Sequence, residues 1–87
     1  MKAVVTVIGK DTVGILASTA QACAQKNANV LEVTQSILDG YFCMVMVIDI
    51  SAMTCEIETL HQDIKTAVPD MVVHVIHEDI FNSMHRI

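Results

Sequence analysis

Tryptophan is absent from this chain of 87 residues, and Tyr41, Phe42 and Phe81 are its only aromatic side chains. A surface that stacks nucleic-acid bases needs aromatics on adjacent strands, so composition argues against that use. Cationic side chains are scarce too. Lysines stand singly at Lys2, Lys10, Lys26 and Lys65, Arg86 is the lone arginine, and the net charge is −5. A chain of this kind attracts neither a phosphate backbone nor an acidic membrane surface, so we expect no nucleic-acid and no membrane partner. Cysteine is limited to Cys23, Cys43 and Cys55, an odd number without C-x-x-C spacing. That pattern reads as free thiols in a reducing cytoplasm. No segment approaches the roughly 18 apolar residues of a membrane span, and Thr6, Gly9, Lys10 and Asp11 break the apolar start too early for a secretory leader. The expectation is a soluble cytoplasmic protein.

What is present is apolar bulk. Hydrophobic residues make up 53% of the chain, which excludes a disordered segment and predicts one domain over residues 1–87. A domain this small buries only about 60 to 65% of the surface of its unfolded chain, so the excess apolar surface is expected to be covered by a second copy in a twofold homodimer.

Periodicity gives the elements. Lys2 to Gly9, with Val4, Val5, Val7 and Ile8, is β-branched and apolar on both faces, as expected of a central strand. Val13 to about Lys26 sets Val13, Leu16, Ala17, Ala20, Cys23 and Ala24 on one helical face, with Asp11 or Thr12 as the expected N-cap and Asn27 at the end. From Val30 to Leu38, Leu31, Val33 and Ile37 alternate with Glu32, Thr34 and Ser36, the pattern of a strand with one wet face. Asp39-Gly40 is a hairpin signal, because a type I′ turn needs positive φ at both central positions. Tyr41 to Ile48 is apolar almost throughout and belongs inside a sheet. Thr54 to Val68 forms a second amphipathic helix with Met53, Ile57, Leu60, Ile64 and Ala67 or Val68 inward, ended by Pro69-Asp70. Met71 to His77 is a last strand. Residues 78–87 read as a short C-terminal helical tail, with Ile80, Phe81, Met84 and Ile87 at helical spacing and Glu78, Asp79 and Arg86 suited to its ends.

The order βαββαβ closes most economically as an α+β, ferredoxin-like sandwich: a four-stranded antiparallel sheet with two helices on one face, plus the short C-terminal helix. Function on this topology depends on which side chains occupy a few positions. A phosphoryl-cleaving enzyme needs a strong cation in the first loop, where only Lys10 stands. A soft-metal carrier needs paired thiolates there, and the loop has none. His74 and His77 are three apart, which on a strand sets them on opposite faces. His61 reads as a partly covered surface histidine. Cys23 and Cys55 read as packed small apolar groups, and Met44 with Met46 as a pair suited to a subunit interface. No catalytic centre, metal site or cofactor is expected.

One segment offers chemistry of another kind. The loop Gly9-Lys10-Asp11-Thr12-Val13-Gly14-Ile15 runs from strand to helix with few reactive side chains but with the free N–H groups of a helix's first turn. Those donors suit a carboxylate, and glycine lets a ligand approach the backbone closely. The plainer reading is a capped helix start.

Gly9-x-Asp11-x-x-Gly14-Ile15 after a strand, Asn29-Val30 opening the second strand, Thr34-Gln35-Ser36 within it and the tail Ile80-Phe81-Asn82-Ser83-Met84-His85-Arg86-Ile87 together resemble free-standing single ACT-domain proteins related to glycine-cleavage regulatory proteins. The resemblance implies the βαββαβ fold, dimerisation through sheets or helices, and a small ligand, commonly an amino acid, at the subunit interface. It places Asp11, Thr12, Val13, Gly14 and Ile15 in the loop wall, with Asn29 and Gln35 as second-strand contacts. Where many ACT domains carry proline before the second glycine, this chain has Val13. The implied role is a non-enzymatic regulatory or sensor module acting on a separate protein, a metabolic enzyme or another regulator. The alternative is a scaffold dimer with no small-molecule ligand.

Overall fold

The computed structural model describes residues 1–84. Seven elements follow one another: β1 (Lys2–Lys10), α1 (Ile15–Gln25), β2 (Asn29–Leu38), β3 (Tyr41–Asp49), α2 (Ile57–Ala67), β4 (Val72–His77) and α3 (Glu78–Met84). The strands form one antiparallel sheet in the order β2-β3-β1-β4, with the two longer helices on one face, so the ferredoxin-like arrangement stands. His85, Arg86 and Ile87, the end of the expected tail, lie outside the described residues.

β1 is the spine. It pairs with β3 from Lys2↔Asp49 to Lys10↔Tyr41 and with β4 from Ala3↔His77 to Ile8↔Val72. The β2–β3 hairpin turns through Asp39 at φ 53° and Gly40 at φ 81°, the doubly positive geometry of a type I′ turn.

Side-chain alternation divides the sheet into two faces. Ala3, Val5 and Val7 point to the helices with Met44, Met46, Ile48 and Val73, and they meet Ile15, Cys23, Leu60 and Ile64 in a single core. Met44 and Met46 are fully buried there, so the expectation that they mark a subunit interface is corrected: they fill the protomer's own core between sheet and helices.

The α1 prediction also needs correction, in start, cap and face. The helix begins at Ile15, and its N-cap is Gly14, in the left-handed region at φ 85°, with no side-chain cap from Asp11 or Thr12. Its buried face is Ile15, Thr19, Ala22 and Cys23, while Val13 is fully exposed and Leu16, Ala17 and Ala24 face outward. The alanine-rich sequence offers two apolar stripes, and the one carrying bulky Ile15 packs inward. Thr19 tolerates full burial because its hydroxyl donates to the Ile15 carbonyl at 2.8 Å. At the far end Asn27 takes φ 60° and stops the helix.

β2 departs in register. A bulge between Val30 and Glu32 leaves Leu31 without a partner, after which Val33, Gln35 and Ile37 share the face of Met46, Met44 and Phe42. Both faces of β2 are nonetheless largely exposed, whereas the helix-side residues of β1, β3 and β4 are buried in the core.

The two stripes of α1 give a direct test. Ile15→Ala should lower unfolding free energy by about 2–5 kcal/mol, and Val13→Ala by no more than about 0.5 kcal/mol, measured by denaturant titration. The reverse ranking would restore the stripe read from the sequence.

Candidate functional site

β1 ends at Lys10, and the chain crosses to α1 through residues 11–14. The Asp11 N–H donates to the Gly40 carbonyl at 3.2 Å, tying this loop to the β2–β3 hairpin at the same pole of the sheet. Beyond it, the first helical bond runs from the Ser18 N–H to the Gly14 carbonyl at 2.9 Å. The N–H groups of Ile15, Leu16 and Ala17 precede that bond and meet no side-chain cap. Three parallel donors therefore stand at the positive end of the helix dipole.

A cavity of about 120 Å³ opens beside them. One wall is Thr12, Val13, Gly14, Ile15 and Ser18; the other is Ala67, Val68, Pro69, Asp70 and Met71, from the turn between α2 and β4. Gly9 brings the walls together, since a Cβ there would lie 2.5 Å from Met71 Sδ and 3.3 Å from the Asp70 carbonyl oxygen. The lining thus pairs the start of α1 on one side with Asp70 on the other.

Of the seven residues singled out in the sequence, Thr12, Val13, Gly14 and Ile15 line this cavity. Asp11 stands exposed at its approach. Gln35 lies on the exposed helix-side face of β2, opposite Met44. Asn29 pairs with Asp49, which pairs with Lys2, so within one protomer it sits at the pole opposite the loop. Sequence reading missed Ser18, Pro69 and Asp70. More than 50 residues separate Pro69 from the loop, and only the Ile8↔Val72 pairing of β1 with β4 brings the two segments together.

A second, larger furrow of about 480 Å³ runs between α1 and α2, lined by Ser18, Gln21, Gln25 and Thr66, with Lys26 Nζ 3.6 Å from Asp63 Oδ2. It is open to solvent, and its charged groups already face each other. The smaller cavity is the candidate site because the backbone donors beside it are unpartnered.

The other polar groups have structural partners. His61 Nε2 lies 2.8 Å from the Val73 carbonyl oxygen, and the Lys65 ammonium donates to the Met71 carbonyl. Among the described residues no three His, Cys, Asp or Glu side chains cluster to hold a metal, and His74 and His77 occupy opposite faces of β4. Asp49 is held below the usual carboxylate range by the Ser51 N–H, which donates to its Oδ1 at 2.9 Å. Burial pushes the Cys23 thiol up to about 11, while Cys43 and Cys55 are half-buried. No helix among the described residues is long and apolar enough to cross a membrane.

Comparison with known proteins agrees with this fold. A family model describing the ACT domain matches residues 2–77. A UPF0237 protein of Clostridium perfringens is 46% identical over 89 residues, covering all of both chains. Another UPF0237 protein, from Methanocaldococcus jannaschii, is 43% identical over 88 residues, covering 99% of this chain and 98% of its own. Among solved structures, an ACT domain protein from Streptococcus pneumoniae superposes with a TM-score of 0.78 at 29% identity over 93% of each chain.

The Cys23 thiol generates a prediction with a definite sign. The unfolded chain ionises this thiol near its ordinary value of 9, the folded chain only near 11. Stability should therefore be unaffected by Cys23 below pH 9 and fall by about 1.4 kcal/mol per pH unit from there to about pH 11. Denaturation midpoints of Cys23→Ala, measured against pH beside the parent, should lack that component. Parallel profiles would contradict it.

Proposed function

The chain belongs to the ACT domain family, and from that premise we propose that it is a non-enzymatic regulatory module: a homodimer that binds a small amino-acid-like ligand and signals its occupancy to a separate protein. ACT domains are in general regulatory modules that bind small ligands. The observation that carries the finer reading is the uncapped first turn of α1, opening on a cavity of about 120 Å³. A ligand carboxylate would accept from the N–H groups of Ile15, Leu16 and Ala17, and Gly14, with no Cβ, lets it approach. The ligand's ammonium would face Asp70. A zwitterion satisfies both walls at once, where a simple anion would meet the Asp70 carboxylate unfavourably. The cavity volume suits a compact side chain.

Edge strands support the dimer. The outer edge of β4 is guarded, since His61 and Lys65, one turn apart on α2, engage the carbonyls of Val73 and Met71. Among the described residues β2 has no such guard. Above it lies an apolar ledge: Ser18, Gln21 and Gln25 turn toward α2, so Leu16, Ala20 and Ala24 turn the other way, over Val33 and Ile37. Antiparallel pairing of two β2 strands, centred between Val33 and Thr34, would continue the sheet across eight strands and bury both ledges. It would also set the partner's Asn29 opposite Leu38, at the pole of the loop, which is how Asn29 and Gln35 would join Asp11 to Ile15 around one ligand. Free thiols at Cys23, Cys43 and Cys55 fit a reducing cytoplasmic setting, and a metabolic enzyme or regulator is the expected receiver.

The unfolding temperature of the reduced protein, measured with each of the twenty amino acids at millimolar concentration, tests this reading. A ligand at about 100 times its dissociation constant adds about 2.7 kcal/mol, a rise on the order of 10 °C in a domain this size. One or a few compact amino acids should produce it, and Gly14→Val should abolish it. No rise with any amino acid would leave the scaffold dimer as the better description.

A further inference from the structure

Asp70 is the residue proposed to face the ligand's ammonium, and its place depends on a short segment with few fixings. The chain leaves α2 in a β-turn with Pro69 at its second position, closed by the Met71 N–H donating to the Val68 carbonyl at 3.0 Å. Pairing with β1 begins only at Val72, opposite Ile8. Asp70 itself is exposed, and among the described residues its side chain has neither a hydrogen bond nor an ion pair.

One contact from α2 fixes the far end of this turn. Lys65, the cation in the last turn of the helix, donates its ammonium to the Met71 carbonyl. His61, one turn earlier, has its Nε2 2.8 Å from the Val73 carbonyl oxygen. A cation so placed commonly serves the helix's own last carbonyls or a neighbouring carboxylate, and Asp70 is close in sequence. Lys65 instead takes a carbonyl of the returning chain and leaves the Asp70 carboxylate unpaired. From the other side the same peptide lies against β1, where a Cβ on Gly9 would come 3.3 Å from the Asp70 carbonyl oxygen. The link between Asp70 and Met71 is thus held by β1 through Gly9 and by α2 through Lys65.

We propose, on the premise that this cavity takes an amino-acid-like ligand, that Lys65 is its positioning residue: by holding the Met71 carbonyl it keeps Asp70 at the span from α1 that a zwitterion bridges. The site is thereby selective for a free ammonium. Without that hold the turn is fixed on one side only, and water enters between Asp70 and the ammonium, which weakens their attraction steeply. The carboxylate end of the ligand, bound at the first turn of α1, is left as it was.

Charge separates this role from a direct one. Lys65 is a cation on the Asp70 side of the cavity, so its own field repels a ligand ammonium and attracts a plain carboxylate. Loss of its charge alone would raise affinity for an amino acid and lower affinity for the same molecule without the amino group. Loss of Asp70's position acts in the opposite sense on the amino acid.

NMR titration of the full, reduced chain gives dissociation constants for glycine, alanine and serine, and for acetate, propionate and 3-hydroxypropionate, which lack only the amino group. The parent should bind at least one of the amino acids more tightly than its counterpart. Lys65→Met should weaken that amino acid about tenfold without weakening the counterpart to match, and Lys65→Arg, which keeps a donor, should stay near the parent. Because Lys65 is exposed, the variants should fold as the parent does. Undiminished amino-acid affinity in Lys65→Met would overturn the role of Lys65 and leave the proposed site standing. Equal weakening of amino acid and counterpart would do the same, since it marks a general loosening of the site. A parent that binds the counterparts as tightly as the amino acids would overturn the selectivity and the role of Lys65 together. A parent that binds none of these compounds would overturn the site itself.

Discussion

The pairing of β1 with strands on both sides is the constraint from which the rest of the molecule follows. Its backbone groups are satisfied along most of its length, and its inward side chains, Ala3, Val5 and Val7, are fully buried under the helices. A strand so fixed also fixes where the chain leaves the sheet. Gly9 and Lys10 deliver residues 11–14 to one pole, and β4, paired with the same strand, starts there from the turn holding Pro69 and Asp70. The cavity beside α1 exists because two segments distant in sequence leave β1 and reach β4 at one place. Gly9 lets them lie this close, since a Cβ there would force the Met71 side chain to shift.

Two helices cannot cover four strands and both faces. α1 and α2 shield the inner side of three strands, leaving β2 exposed on both faces and along its edge. α3 shields only part of the outer side. An 87-residue chain with 53% hydrophobic residues meets that shortfall by exposing Ile8, Leu31, Val33, Ile37, Leu38 and Val72. The guarded β4 edge and the unguarded β2 edge show that the exposure is not evenly distributed. Polar side chains close one edge, and apolar ones surround the other.

Most of this architecture was legible in the sequence. The Asp39-Gly40 turn and the continuous apolar run of β3 each have one physical reading, and the structure agrees with it; the alternation at Glu32, Thr34 and Ser36 marks a strand, but both faces of β2 are exposed where one wet face was expected. α1 was harder, because an alanine-rich helix carries little information about which side faces in. There Leu16, Ala17 and Ala20 were an equally good stripe, and only the tertiary packing of Ile15 decides. The N-cap was misread for a related reason: Asp11 and Thr12 are good capping residues, but the helix starts only after Gly14, beyond their reach. The same displacement leaves the first turn uncapped. For the candidate site, the loop was legible and its opposite wall was not, since Asp70 reaches it only through strand pairing.

Whether those three uncapped donors receive a ligand is the point on which the functional reading rests, and amide NMR observes them one by one. Titrating the reduced, isotope-labelled protein with glycine, alanine and serine should move the N–H resonances of Ile15, Leu16 and Ala17 first and furthest, in a saturable manner. Saturable shifts confined to the furrow between the helices, at Gln21, Gln25 and Thr66, with the first turn of α1 unmoved, would contradict the assignment of this loop as the binding site.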